Sequence, residues 1–570
     1  MKSSRSAPDR AIRTQTNALL VMVVLAVIGF AGIKLPYITY YQLVNQDLVA
    51  AALLVVAGIA LRGRLASLAR VRLGTASVKP GVTLWVAAIA LAVVAFGVLG
   101  ELVLFHGYSL SMDEYWARAD GVIFATGKPM AQVPQEWRAF APALEPTFAR
   151  ILPDSGYWSS TYLPVNALIQ HLLGPLASPL MAGLSIIVAA DLARQLLPGK
   201  RAAPLICALV LASSSQLLVT AMTPYAMNGH LFFNLVWLWL FLRREALAQG
   251  AAMVVAVLAI GLHQAAFFPL FAAPFLFEAL LAHRRRLALA HFVVIAAGFL
   301  AWSHWDVICY SILHVAPPKA PAGSARLLDM LFARVLGSGL KSVGLMGLNL
   351  FRFQLWQNPV VVPLILMVAM PVLRMPGRWR AMLGGIVLTT LFVLVVFPFQ
   401  GHGWGYRYLH GLLGSASLLS TLAFYKLMPD DAPDHEARQW RAYVLAMTAF
   451  ALVILVPLHV FQAWKQAQPY VSANAALAGW KADVVVIDAP QHAYASDLTR
   501  NDPLLRNRPK RMDYDKLAPG QLAALCSRYS VRLFGNADAA RFGIPDWAAE
   551  SGAPRVYPAQ CHFDSVRPDK

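Results

Sequence analysis

Long apolar blocks follow one another along most of this chain. Blocks of about 17–22 residues recur between residues 17 and 461, and each is long enough to cross a hydrocarbon core of roughly 30 Å as one helix. The pattern therefore predicts an α-helical polytopic membrane protein with about thirteen transmembrane helices. The predicted spans are 17–34, 46–62, 83–104, 176–195, 203–221, 228–242, 250–264, 267–282, 287–305, 358–373, 381–398, 409–425 and 441–461.

The composition is typical of a membrane protein. Of the 570 residues, 58% are hydrophobic and 14% are charged, whereas ordinary soluble domains have about 45–50% and 25%. The net charge is +19, but most of the cations lie in short gaps between the predicted spans. That distribution is typical of membrane topology and not of a nucleic-acid-binding surface, so we expect membrane lipid and no nucleic acid as a partner.

The basic gaps alternate with gaps that carry almost no charge. Examples are Lys200 with Arg201, Arg243 with Arg244, and the run 284–286. Because positive loops favour the cytoplasm, an odd number of spans predicts a cytoplasmic amino terminus and a periplasmic carboxyl terminus. The first block follows a basic tail without a cleavage site, so we expect it to remain as an anchor in the cell inner membrane.

Three polar regions then face the outer side: loops 105–163 and 305–357, and the tail 465–570. We predict a transmembrane domain at 1–464 and a soluble periplasmic domain at 465–570. Within the tail, apolar runs at 484–487 and 531–534 predict strands and 519–529 predicts a helix, which makes a small α/β unit.

The four cysteines include no pair with zinc-site spacing. Cys526 and Cys561 lie in the tail, where an oxidising compartment permits a disulfide between them that would stabilise a modest core.

The first outer loop begins with an acidic pair on a predicted helix. Asp113 and Glu114 open an amphipathic segment, 109–127, whose apolar side is expected to lie on the membrane surface. Ser111 and Glu114 have the spacing of a capping box, and the helix dipole favours acidic residues in any first turn, so both acids also have a structural explanation. The functional alternative is that Asp113 takes a proton from an acceptor hydroxyl at the lipid surface.

A second polar segment, 400–410, contains three spaced glycines and a cation, Arg407. No soluble strand precedes it, so nucleotide binding is not expected. A guanidinium binds phosphate bidentately, which makes Arg407 a candidate phosphate ligand; the alternative is an interfacial arginine within an aromatic belt. Other outer-face candidates for substrate binding are Tyr406, His402, Lys128, Lys341, Arg352, His230 and His263.

These motifs together resemble the GT-C superfamily of polyprenyl-phosphate-sugar glycosyltransferases, closest to its protein O-mannosyltransferase and aminoarabinose transferase types. The resemblance rests on the acidic pair, on Tyr162-Leu-Pro-Val165 where the loop returns to the membrane, and on Tyr225-Ala-Met-Asn-Gly-His230. It covers roughly 105–240 well and is loose elsewhere, although the sequence around Arg407 is similar to a carboxy-terminal loop motif of lipid-linked mannosyltransferases.

The resemblance implies an activity and roles for residues. The donor would be a polyprenyl-phosphate sugar, the acceptor a glycan, lipid or protein, and the transfer inverting, with Asp113 as the base and Glu114 supporting it. Some relatives hold a divalent cation with loop acids, so Asp113 and Asp154 would be the ligands for Mg²⁺ or Mn²⁺; two ligands do not define a site, and we expect no metal. The alternatives are a transporter or flippase of a lipid-linked glycan, and a ligase that moves a whole glycan.

Overall fold

The structure is a computed structural model. It describes residues 6–30, 34–68, 81–152, 154–317, 339–375, 377–428, 434–547, 555, 557–561 and 563. Residues 31–33 of the first predicted span and 318–338 of the second predicted outer loop lie outside the described residues.

Within the described ranges, seven helices are long and apolar enough to cross a membrane, or up to nine if each of two bent pairs is one span. The bent pairs are Ala203–Ala212 with Ser215–Ala221, at 64°, and Leu340–Trp356 with Val361–Arg374, at 110°. The seven are Ala7–Phe30, Tyr37–Arg62, Val82–Leu104, Val165–Leu196, Arg285–Ser303, Arg378–Val396 and Asp434–Ala478. Further apolar helices are Met227–Phe241, Ala246–Ile260, Phe267–Leu281 and Leu413–Lys426.

This count is lower than the thirteen spans that the apolar pattern predicted, although each predicted span overlaps a helix. The physical reason is that an apolar block reports burial and not the length of one continuous helix. A helix of 15 residues such as Met227–Phe241 is only about 22 Å long, which is less than the hydrocarbon thickness.

The long helices expose apolar side chains along one side. In Ala7–Phe30, Leu20 is 61% exposed and Val27 65% exposed, whereas Ala11 on the opposite side is fully buried. Such surfaces are unfavourable in water and suit lipid. The chain is therefore a multi-pass membrane protein.

The described residues divide into two compact units. The first unit takes them from Met1–Glu101, Pro175–Ser303 and Pro321–Ala463, and it contains most of the apolar helices. The second takes them from Leu102–Gly174, His304–Ala320 and Trp464–Lys570.

In the first unit, the helix Leu340–Trp356 packs along Ala7–Phe30. A Cβ on Gly29 would lie 2.3 Å from the Cα of Gly344, so only glycine lets the two backbones come this close. The sequence placed 305–357 in an outer loop; its last third is instead a buried helix. Polar residues such as Asn349 and Arg352 interrupt its apolar pattern, and they are satisfied inside the protein rather than by solvent.

The second unit contains two small sheets. Strands β1 (Ala131–Gln132), β2 (Ala149–Leu152) and β3 (Tyr157–Ser160) are antiparallel in the order β1-β3-β2. Strands β4 (Val484–Asp488), β5 (Lys510–Asp513) and β6 (Val531–Gly535) are parallel in the order β5-β4-β6.

The tail confirms most of its predicted elements. Strands β4 and β6, the helix Gln521–Arg528 and the disulfide between Cys526 and Cys561 are all present. Strand β5 was not predicted, because Lys-Arg-Met-Asp has no apolar run, yet all four of its residues are buried.

The first outer loop and the tail share one apolar core. Trp137 and Trp158 from the loop pack in the same cluster as Val486, Met512 and Leu525 from the tail. In the structure the helix Asp434–Ala478 continues through residue 465, and residues of the loop complete the core of the tail.

The predicted orientation can be tested with the cysteines. After reduction, a membrane-impermeant maleimide should label Cys526 in intact spheroplasts, because the tail is expected to be periplasmic. Cys207 and Cys309 are buried and serve as internal controls that should stay unlabelled. Labelling of Cys526 only after lysis would reverse the topology.

Candidate active site

The helix Met112–Phe124, here called the acidic helix, begins with a complete capping box. The amide of Ser111 donates to Glu114 Oε2 at 2.7 Å, and the amide of Glu114 donates to Ser111 Oγ at 3.3 Å. Glu114 is buried and occupied by this contact. The capping box therefore explains Glu114, whereas the structural explanation for Asp113 is the helix dipole alone.

Asp113 lies in the first turn of the acidic helix and is partly exposed. The hydroxyl of Tyr162 donates a hydrogen bond to its Oδ1. Tyr162 belongs to the segment where the loop returns to the membrane, and its ring packs against Phe148 with centroids 5.8 Å apart. The two loop residues that carried the family resemblance are thus in direct contact.

Asp120 fixes the acidic helix to the strand that leads to Tyr162. Its carboxylate accepts hydrogen bonds from the amide of Ser160, at 3.1 Å, and from the Ser160 hydroxyl. Ser160 Oγ in turn accepts from the amide of Tyr162 at 3.0 Å. These hydrogen bonds through Ser160 hold Tyr162 beside the acidic helix, which carries Asp113.

Arg500, from the tail, holds the chain segment that enters the acidic helix. Its guanidinium donates to the carbonyls of Ser109 and Leu110, the latter at 2.8 Å. It also lies over the ring of Tyr108 at 4.4 Å and near that of Tyr115 at 5.7 Å. The tail thereby contributes to the position of the acidic pair.

Buried carboxyl groups surround this helix start. Burial raises the pKa of Glu114 from 4.5 to about 7, although the Ser111 amide, Arg500 and Arg118 oppose the shift. Burial likewise raises the pKa of Asp120 to about 6, against the hydrogen bonds from Ser160. The pKa of Asp497 is raised to about 6, mainly by burial and with a further contribution from the negative charges of Asp513 and Asp113.

Two further predicted residues of this unit, Asp154 and Lys128, are exposed. Asp154 is exposed in the turn before β3, at the end opposite to Tyr162, and a four-residue strand is roughly 13 Å long. Lys128 is exposed beyond the other end of the acidic helix, roughly 20 Å along the helix direction. The described residues contain no group of three His, Cys, Asp or Glu that could hold a metal ion.

In the first unit, the glycine segment 400–405 is built around the side chain of Gln216. Gln216 Nε2 donates to the carbonyl of Tyr406 at 2.9 Å, and Gln216 Oε1 accepts from the Tyr406 amide at 3.2 Å. Gly405 has φ +64°, and a Cβ there would lie 2.6 Å from Gln216 Oε1. Gly405 therefore allows the close packing of this segment against Gln216.

A buried hydrogen-bond chain continues from Gln216. Gln357 Nε2 donates to Gln216 Oε1 at 2.7 Å, while His410 Nδ1 lies 3.3 Å from Gln216 Nε2. His410 Nε2 lies 2.8 Å from Asn228 Oδ1. An amide nitrogen must donate and an amide oxygen must accept, so these contacts assign the proton of neutral His410 to Nε2.

Arg407 begins a short helical segment, Arg407–Leu412, that this network anchors. Its guanidinium lies 5.2 Å from the ring of Tyr408 and 6.0 Å from that of Tyr225. The amide of Arg407 donates to Gln400 Oε1 at 3.0 Å. Its position is thus set by the main chain and by aromatic rings on two sides.

Arg407 also lines a small cavity of about 20 Å³. His230, Asn234 and Thr389 line it as well. Both ring nitrogens of His230, Asn234 Oδ1 and Thr389 Oγ1 are buried and have no hydrogen-bond partner among the described residues. A cavity of this size holds a water molecule, and these atoms would be its partners.

The remaining predicted residues of this unit differ in their surroundings. His402 and His263 are partly exposed, and Lys341 is exposed in the first turn of Leu340–Trp356. Tyr406, also predicted to bind substrate, is fully buried, and its hydroxyl lies 3.7 Å from Met346 Sδ.

Arg352 is an internal ion pair and not an outer-face cation. Its Nη2 lies 2.9 Å from Asp47 Oδ2, its Nη1 donates to Gln42 Oε1, and both charged side chains are almost fully buried. Gln42 Nε2 donates to the carbonyl of Gly403 at 3.2 Å. Arg352 therefore supports the glycine segment through Gln42, and its charge is already neutralised.

Sequence reasoning missed most of these supports. Gln216, Asn228 and Gln357 are buried amides, and an unpaired amide is costly among apolar helices, but the sequence around each of them is polar enough to be read as a loop. Asp497 and Arg500 lie far from the acidic helix in sequence, and nothing in the local pattern links them to it.

No protein-family model and no curated protein matches the chain. Among solved structures, it is similar to ArnT from Cupriavidus metallidurans in the apo state, with 13% sequence identity and a TM-score of 0.43 over 77% of this chain and 94% of ArnT. It is also similar to ArnT from Cupriavidus metallidurans bound to undecaprenyl phosphate, with 12% sequence identity and a TM-score of 0.45 over 78% of this chain and 95% of ArnT. A third similar structure is the Archaeoglobus fulgidus oligosaccharyltransferase in the apo form, with 12% sequence identity and a TM-score of 0.41 over 76% of this chain and 65% of the transferase.

The raised pKa of Glu114 predicts a pH dependence of stability. Between its unfolded pKa of 4.5 and its folded value of about 7, the folded state binds the additional proton, so stability is full below this window and falls as the pH rises through it. Glu114→Gln keeps an acceptor for the Ser111 amide and removes the titration.

Relative to Glu114→Gln, the purified wild-type protein should therefore lose melting temperature between about pH 5 and about pH 7.5. Asp120 and Asp497 also titrate in this range, but they are present in both proteins and do not enter the difference between the two profiles. Identical profiles in the two proteins would contradict the burial of an ionisable Glu114.

Proposed function

We propose that this chain is an integral membrane glycosyltransferase that moves a sugar from a polyprenyl-phosphate donor to an acceptor on the extracytoplasmic face. The proposal rests on the different surroundings of Asp113 and Glu114. Glu114 is consumed by the helix cap, whereas Asp113 is partly exposed and contacted at Oδ1 by the Tyr162 hydroxyl. A carboxylate whose orientation is fixed by a second residue has the arrangement of a general base.

The proposed step is a single displacement. Asp113 accepts the proton of an acceptor hydroxyl while that oxygen forms a bond to the anomeric carbon. The bond between the anomeric carbon and the phosphate oxygen breaks, and polyprenyl phosphate leaves with the electron pair. Because attack and departure occur on opposite faces of the sugar, the anomeric configuration inverts.

Arg407 is the proposed ligand of the carrier phosphate. It is the partly exposed cation of the glycine segment, and Arg352, its rival, is neutralised by Asp47. A guanidinium keeps its charge at the membrane edge and binds phosphate through two parallel hydrogen bonds. Negative charge grows on the leaving phosphate during the displacement, so this contact would strengthen in the transition state.

Asp113→Asn should abolish transfer while leaving the fold intact. Loss of a general base costs about 10²–10⁴-fold in turnover, whereas an acidic residue in a first helical turn contributes only about 0.3–1 kcal/mol of stability. Turnover is measured as release of carrier phosphate from a labelled polyprenyl-phosphate sugar, with thermal unfolding as the check on folding.

Asp154→Asn is the matched control, since Asp154 is an exposed carboxylate of the same loop and should tolerate the change. Wild-type turnover by Asp113→Asn would contradict the assignment of the base. Movement of the intact lipid-linked sugar, with no release of phosphate by the wild-type protein, would instead indicate the transporter that the sequence left open.

Arg407→Lys should lower turnover more than donor affinity. Lysine keeps the charge but loses the planar pair of donors, so a bidentate ligand would be impaired and an interfacial anchor would not. Lys341→Ala, an exposed cation of the same unit, is the control. Full turnover by Arg407→Lys together with a loss in Lys341→Ala would move the phosphate site to Lys341.

A further inference from the structure

The cavity beside Arg407 joins three separate elements of the first unit. His230 and Asn234 lie one turn apart on one helix, Thr389 comes from a second helix, and Arg407 follows the glycine segment. The volume of the cavity is about 20 Å³, and one water molecule requires about 10–15 Å³ of such space. A single water molecule could therefore contact all three elements.

The polar side chains from the two helices are deeply buried. His230 is 4% exposed, Asn234 3% and Thr389 2%. Both ring nitrogens of His230, Asn234 Oδ1 and Thr389 Oγ1 have no hydrogen-bond partner in the part of the chain that the structure describes. A buried polar atom without a partner is unfavourable, so these atoms together indicate a small ligand that both donates and accepts. Water has this chemistry and fits the volume.

The orientation of Asn234 assigns the hydrogen bonds of this water. Asn234 Nδ2 donates to the carbonyl of Gly411 at 2.9 Å, so Asn234 Oδ1 is the atom that faces the cavity, and it can only accept. A neutral histidine nitrogen accepts as well, whereas the Thr389 hydroxyl can donate. The guanidinium of Arg407 has five N–H groups, so a bond to this water is compatible with its other contacts.

We propose that one ordered water molecule in this cavity holds the Arg407 side chain in place, and that His230 and Thr389 are positioning residues that act through it. The water accepts hydrogen bonds from Arg407 and Thr389. It donates its two protons to Asn234 Oδ1 and to a ring nitrogen of His230. This inference rests on the proposed role of Arg407 as the phosphate ligand. A guanidinium whose direction is fixed loses less freedom when the phosphate binds and keeps its paired N–H groups aligned in the transition state.

A double-mutant cycle separates this role from a general contribution to packing. His230→Phe removes both ring nitrogens but keeps an aromatic ring beside Phe267, whose centroid lies 6.0 Å from that of His230. It should lower turnover roughly tenfold, the effect of one hydrogen bond to a charged group, and change donor affinity less than about twofold. In the Arg407→Lys background the same change should cost less than about twofold, because the guanidinium that the water orients is absent. Additive losses would overturn the inference.

Two neighbouring threonines provide a matched pair of variants. Thr389→Val keeps the shape of the side chain and removes the hydroxyl, whereas Thr389→Ser keeps a hydroxyl. Thr390 is on the same helix, but its hydroxyl donates to the carbonyl of Ile386 at 2.7 Å and it does not line the cavity. Turnover should fall roughly fivefold in Thr389→Val and stay near wild type in Thr389→Ser and Thr390→Val. Equal turnover in the two valine variants would contradict the proposal.

Electron cryo-microscopy of the full-length protein in phospholipid nanodiscs detects the water without an activity assay. In a map fine enough to show ordered waters, the wild-type protein should have one density within hydrogen-bond distance of Asn234 Oδ1 and of the Arg407 guanidinium, and His230→Phe should lose it. A wild-type map without that density would overturn the inference. Full turnover by Arg407→Lys with the density present would instead refute the phosphate role of Arg407 and leave the water bridge confirmed.

Discussion

A polar group placed among the apolar helices must find its partner inside the protein, because lipid offers none. The buried pair of Arg352 and Asp47 shows the consequence. It is neutral as a whole, and its remaining donor is taken by Gln42, which in turn reaches a carbonyl of the glycine segment. One requirement, that no charge be left alone in an apolar interior, thus connects three helices or loops that are distant in sequence.

The same constraint explains the network around Gln216. Its side-chain amide pairs with the backbone N–H and C=O of Tyr406. It also contacts Gln357 and His410, and His410 in turn contacts Asn228. A fully paired polar network is rigid, because each shift of one member leaves another unpaired. Arg407 therefore projects from a segment whose backbone is fixed, which is the condition for a precise contact with a phosphate.

In the second unit the supports of the candidate base come from two parts of the chain. Tyr162 and Asp120 fix Asp113 and its helix from within the first outer loop, whereas Arg500 fixes the entry to that helix from the tail. The shared core of loop and tail supplies the rigidity that hydrogen bonds alone would not. Arg500 of the tail thus helps to position the start of the helix that carries the candidate base.

The sequence by itself determined the membrane class, the apolar segments, two of the three tail strands, the disulfide and the acidic helix with its capping box, because each depends on local composition or spacing. Only the tertiary structure decided which polar residues are partners. It buried Arg352 in an ion pair with Asp47, packed the Tyr406 hydroxyl against Met346 and brought the Tyr162 hydroxyl to Asp113. The sequence identifies a residue's functional groups. Burial and the partners that tertiary structure brings to those groups decide whether they stabilise the fold or can contact a substrate.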